Sequence, residues 1–146
     1  LDALIEYYEL PADGTYRVLA QGTLYGEGGT YELSLERTEM VVEGVLNYGD
    51  TVEADLEAGE RHHWLFDGQE DDVVTITMRA MTEEMDTYLE LFAPDGVRVR
   101  VDDDSGGNSD AEIADFALPL SGTYRVIARG YSDDDVGRYT LTLSRP

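Results

Sequence analysis

Apolar and polar residues alternate in short stretches along this chain, and turn residues interrupt the alternation roughly every 8–12 positions, the spacing of an all-β sandwich or barrel. In "DVVTITMR" the residues Val74, Ile76 and Met78 share one face, and Thr75, Thr77 and Arg79 share the other. The same period of two turns Tyr124, Val126 and Ala128 inward in "GTYRVIAR", and Tyr139, Leu141 and Leu143 inward in "RYTLTLS". Further strands are predicted over 41–46, 51–56, 61–66, 86–92, 97–101 and 112–118. "NYGD", "EAGE", "APDGV" and "LSGT" supply the Gly, Asp or Asn that a reversing chain needs, and "PDG" at 94–96 reads as a hairpin. No stretch of useful length carries a helical period, although "MRAMTEEM" has room for one turn.

Part of this pattern occurs twice. "LPADGTYRVLAQG" at 10–22 returns as "LPLSGTYRVIARG" at 118–130, and residues 1–37 laid over 109–145 without a gap match at 17 of 37 positions. The offset of 108 defines a tandem period. Residues 43–146 are expected to form one complete sandwich repeat, 38–42 a linker, and 1–37 the closing part of a preceding repeat whose opening part would lie before Leu1. A chain that starts at Leu1 rather than Met is expected to be processed or excerpted.

Composition narrows the function classes. The 146 residues include 32 acidic and 10 basic side chains, all of the latter Arg, for a net charge of -22. Phosphate backbones need a basic surface, so nucleic acid is not an expected partner. With 42% hydrophobic residues the chain has the means to bury a core. No apolar run is long enough for a transmembrane helix, and the absence of Cys removes disulfide and thiol chemistry. The acidity fits a solvated surface, with divalent-cation binding or a salt-rich habitat as further readings.

Several motifs in order resemble the bacterial pre-peptidase C-terminal domain family: "GDTVEADLEAGERHHWLFDGQEDDVVTITM", "DTYLELFAPDG", "DDDSGGNSDAEIADFALPLSGTYRVIARG" and "GRYTLTL". The likeness covers roughly 43–145, and 1–37 resembles the closing third of a second such domain. It implies an antiparallel, jelly-roll-like β-sandwich of about eight or nine strands that is extracellular and non-catalytic. Such domains occur in tandem in surface proteins or are appended to secreted peptidases, and some relatives bind calcium or polymers such as collagen.

The residues themselves offer little catalytic chemistry. His62 and His63 are adjacent in a predicted strand, so they point to opposite faces and cannot share one metal ion. None of Ser105, Ser109, Ser121, Ser132 and Ser144 sits in a nucleophile elbow. In the loop "DDDSGGNSD", Asp102, Asp104, Asn108 and Asp110 are candidate calcium ligands. Gly106 and Ile113 stand where an EF-hand needs oxygen ligands, so a different calcium loop or a solvated Asx-rich turn is expected there. Tyr16, Tyr31, Tyr124 and Tyr139 recur at inward positions, whereas Tyr7, Tyr8, Tyr25, Tyr48 and Tyr131 do not and are candidates for an interface or a sugar-binding platform. Two functions follow as expectations. The first is a structural repeat of a tandem surface, adhesive or filament-forming protein, whose partners are adjacent copies or neighbouring subunits. The second is a polymer- or carbohydrate-binding accessory domain, or a removable C-terminal domain, of a secreted hydrolase.

Overall fold

The computed structural model describes residues 3, 5, 8, 10, 13–22, 28–36, 40–82 and 84–146. The chain divides into two units, Leu1–Glu39 and Met40–Pro146.

The second unit is all-β. Its described residues form β1 (Val42–Val45), β2 (Thr51–Leu56), β3 (His62–Gly68), β4 (Val73–Ala80), β5 (Thr87–Phe92), β6 (Arg98–Asp102), β7 (Ala111–Ala117), β8 (Gly122–Gly130) and β9 (Gly137–Ser144). A five-stranded sheet has the order β1-β3-β8-β5-β6, and a four-stranded sheet the order β2-β9-β4-β7. Each predicted strand is present within a residue or two of its expected bounds, and no helix occurs among the described residues.

The expected "APDGV" hairpin joins β5 to β6, with Gly96 at φ 81° and Ala93 N–H bonded to Val97 O. "NYGD" and "EAGE" also reverse the chain, but each carries it from one sheet to the other. Two such reversals bring β3 back beside β1 in the same direction. The β1–β3 pair is therefore parallel, a departure from the antiparallel expectation. Gly44 allows that pairing, because a Cβ there would stand 2.9 Å from the Trp64 ring.

Between the sheets lies one core, into which the inward faces read from the sequence fall. Val74, Ile76, Met78, Tyr124, Val126, Ala128, Tyr139, Leu141 and Leu143 are all fully buried. Burying such side chains contributes about 1.5–3 kcal/mol each, and packing that excludes voids adds to it. The two large phenols keep their hydroxyls satisfied. Tyr124 Oη donates to Leu120 O at 2.8 Å and accepts from Leu120 N–H at 3.1 Å. Tyr139 Oη accepts the indole proton of Trp64 at 3.0 Å and lies 2.8 Å from His62 Nδ1.

The first unit differs. Residues 13–22 and 28–36, which match β8 and β9 in sequence, form no strand. The physical reason is visible in the second unit. There β8 is bonded on both sides, to β3 and β5, and β9 to β2 and β4, whereas Leu1–Glu39 contains no counterpart of β2–β5. Tyr16, Val18, Leu33 and Leu35, the matches of buried Tyr124, Val126, Leu141 and Leu143, are 44%, 59%, 61% and 93% exposed.

Candidate functional site

Two carboxylates at the loop between β6 and β7, those of Asp102 and Asp110, accept backbone amides. Asp102 Oδ1 accepts Ser105 N–H at 3.1 Å and Glu112 N–H at 2.8 Å. Asp110 Oδ1 accepts Ala80 N–H at 2.8 Å, and its Oδ2 lies 3.7 Å from Arg79 Nη1. Asp104 contributes its backbone carbonyl, which accepts Gly107 N–H at 3.1 Å. Asn108 and Ser109 take left-handed φ values of 56° and 62°, as a tight Asx-rich turn requires. Among the described residues no three His, Cys, Asp or Glu side chains gather into a set that could hold a metal ion. Beside this loop, Ala80, Met81, Thr82, Met85, Asn108 and Asp110 line an open depression of about 310 Å³.

Hydrogen bonds also engage the side chains of His62, Ser121, Ser132 and Ser144. His62 is buried, with Nδ1 2.8 Å from the Tyr139 hydroxyl that also accepts the Trp64 indole proton, and Nε2 3.3 Å from Glu60 Oε2. Ser132 gives its proton to Asp135 at 2.6 Å, Ser144 to the carbonyl of Thr75 at 3.4 Å, and Ser121 accepts Glu70 N–H at 2.9 Å.

Of the candidate interface tyrosines, Tyr7 and Tyr25 lie outside the described residues. Tyr8 and Tyr131 are exposed. Tyr48 packs against the core beside Phe66, and its hydroxyl donates to Asp72 at 2.9 Å. Burial and that carboxylate push its pKa up to about 12. Tyr131 meets the ring of Tyr88 at 6.1 Å, on the margin of a face that reading the loops alone misses.

That face is the outer side of the five-stranded sheet. By register, Val42, His63, Ile127, Glu90 and Val101 form one row across it, and Val45, Leu65, Arg125, Phe92 and Arg98 the next. Arg129 lies opposite Tyr88 in a third row. Glu90 sits at the centre, 5% exposed, with Arg98 at 2.8 Å, Arg129 at 3.1 Å and Arg61 at 3.6 Å. Burial alone would raise its carboxyl, but the hydrogen bonds and charges of Arg98 and Arg129 hold it below the ordinary carboxylate range. Arg129 lies over Tyr88 at 3.9 Å and Arg125 over Phe92 at 4.6 Å.

The opposite outer face, on the four-stranded sheet, is an ordinary solvated surface. There Thr51 meets Thr142 at 2.9 Å, Thr77 donates to Glu112 at 3.1 Å, and Arg138 grips Asp55 through two bonds of 2.9 and 2.8 Å. The signal for the unusual face was present in the sequence. Period-two reading leaves Arg125, Ile127 and Arg129 outward in β8, and Tyr88, Glu90 and Phe92 outward in β5, positions that a solvated face would fill with Thr, Ser or acids.

No family model matches the chain, and no curated protein matches it. Among solved structures it is similar to the pre-peptidase C-terminal domain of a collagenase from Bacillus anthracis. The TM-score is 0.60 at 16% identity, over 73% of this chain and 100% of that one. It is also similar to PliG, a periplasmic inhibitor of g-type lysozyme. For the Aeromonas hydrophila protein the TM-score is 0.52 at 13% identity, over 68% of this chain and 87% of that one. For the Salmonella Typhimurium protein it is 0.52 at 12% identity, over 73% and 100%. At these identities the likeness is one of fold: the chain carries a β-sandwich similar to that of a pre-peptidase C-terminal domain.

Proposed function

We propose that the chain is a non-catalytic extracellular module: one complete sandwich repeat at Met40–Pro146, preceded by the closing part of another, within a tandem surface, adhesive or filament-forming protein. The observation that carries this reading is the recurrence of the β8 and β9 sequences at 13–22 and 28–36, with the residues that match buried ones left exposed. A sandwich closes its core only when both sheets have their strands, and the first unit holds sequence for the closing strands alone. Likeness to a collagenase domain and to periplasmic proteins supports placement outside the cytoplasm.

Limited proteolysis of the full chain tests the module. The expected result is a resistant body beginning near Met40, with early cuts in Leu1–Glu39. Equal resistance along the whole chain would argue for one composite domain.

The collagenase likeness also favours a second reading, an accessory domain that holds a secreted hydrolase on a polymer. Co-sedimentation with insoluble collagen and with polysaccharides separates the two readings: retention on a polymer supports the accessory role.

A further inference from the structure

We infer that the outer face of the five-stranded sheet docks the Asp-rich end of a second copy of this chain, in a side-to-end contact. The first observation is charge segregation. On a chain of net charge -22, this face assembles Arg61, Arg98 and Arg129 around the central carboxylate of Glu90, with Arg125 over Phe92 in the neighbouring row and Asp67 at its margin bonded to Thr123. Two like copies repel over nearly all their surface, and here the sign reverses.

The second observation is apolar content. Val42, Val45, Leu65, Phe92 and Val101 stand on the same outward rows, Val45 at 65% and Val101 at 40% exposed, while the other outer face is polar. Apolar surface among arginines and aromatic rings is the composition of an interface centre.

The third is recurrence. Arg17 and Leu19 match Arg125 and Ile127 at the 108-residue offset, while Gln21 stands where Arg129 does, so two of the three outward β8 positions recur in the sequence of the first unit.

The matching surface is also present. The loops at 103–110 and 131–136 flank Asp86 and Thr87, through Thr87 N–H to Ser109 O at 3.0 Å and Tyr131 N–H to Asp86 O at 3.0 Å. Together they bring Asp102–Asp104 and Asp133–Asp135 to one end of the sandwich. Side and end are different patches, so the contact is heterologous, and repeated contacts propagate a filament instead of closing a dimer. This deepens the module reading and rests on it for the supply of neighbouring copies.

Sedimentation velocity of the full chain tests the inference. Association is expected at about 0.15 M salt, where the screening length of about 8 Å suppresses long-range repulsion but not contact pairs, and it should weaken at least about tenfold near 1 M. Among the described residues, Asp103, Asp104, Asp133 and Asp134 make no side-chain hydrogen bonds, so changing all four to Arg removes that patch while keeping the Asp102 and Asp135 turn bonds. That variant alone, and Arg98→Glu with Arg125→Glu alone, should each stay monomeric, while a mixture of the two re-associates. Association unchanged in the Asp→Arg variant would overturn the proposal. So would a folded wild-type chain that stays monomeric throughout, including one that instead binds soluble polyglutamate. These outcomes leave the proteolysis result untouched, so the module reading and the docking inference can fail separately.

Discussion

The indole Nε1 of Trp64 donates to the hydroxyl of Tyr139 at 3.0 Å in the buried core, so one hydrogen bond ties β3 of the five-stranded sheet to β9 of the four-stranded sheet. His62 Nδ1 shares the same oxygen at 2.8 Å. Tyr139→Phe keeps the ring and strands both partners. Chemical denaturation is expected to show a loss of about 1–3 kcal/mol. Trp64→Phe combined with it should cost less than the two single changes added together, because both remove the same bond.

Glu90 makes acid stability a property of the arginine face. Its folded pKa is depressed, so its contribution is complete above the unfolded value of about 4.3 and is lost as pH falls through the folded value. Glu90→Gln removes the charge from a buried site contacted by Arg98, Arg129 and Arg61. At neutral pH it should destabilise by about 2 kcal/mol. Urea melts from pH 7 to pH 3 should show the wild-type advantage shrinking as the acid range is entered.

Asp86 has the opposite sign. Burial, followed by the charges of Asp104, Asp135 and Asp103, raises its pKa, and among the described residues its Oδ1 is buried without a hydrogen-bond partner. A raised carboxyl favours the folded state only when protonated, so its ionisation costs stability as pH rises through the folded value. Asp86→Asn should therefore raise Tm at neutral pH, with the gain vanishing below the unfolded value of about 3.9. A lower Tm at pH 7 would show that the ionised group is needed.

Asp102 bears on the calcium reading of the acidic loop. Its Oδ1 already holds two backbone N–H groups, so Asp102→Ala is expected to cost about 1–2 kcal/mol with or without a divalent-cation chelator. A Tm that rises with calcium in the wild type, and loses that rise in Asp102→Ala, would establish the loop as a cation site.

The fold was largely legible because a two-residue period needs no long-range information: Val74, Ile76 and Met78 announce their face within one strand. Pairing is different. Nothing local to Val42–Val45 says that it runs parallel to β3, since that follows from two crossings between sheets. The candidate site was less legible for a related reason. Asp102 and Asp110 read as candidate ligands because acids in a loop suggest cations; the backbone amides they accept, and Arg79 beside Asp110, are partners that no local side-chain pattern reveals. The arginine face draws on β3, β5, β6 and β8, so its members come together only once the strand order is known.

The most direct measurement tests the proposal that residues 1–37 are the closing part of a preceding copy. Placing a second copy of residues 38–108 immediately before Leu1 joins Asn108 to Leu1 and restores the 108-residue spacing, which supplies 13–22 and 28–36 with counterparts of β2–β5. Amide hydrogen exchange then compares the extended and original chains. In the original, residues 13–22 and 28–36 should exchange quickly; in the extended chain they should gain the slow exchange of β8 and β9, with a second cooperative unfolding transition. Slow exchange of these residues in the original chain, or no gain in the extended one, would contradict the repeat account.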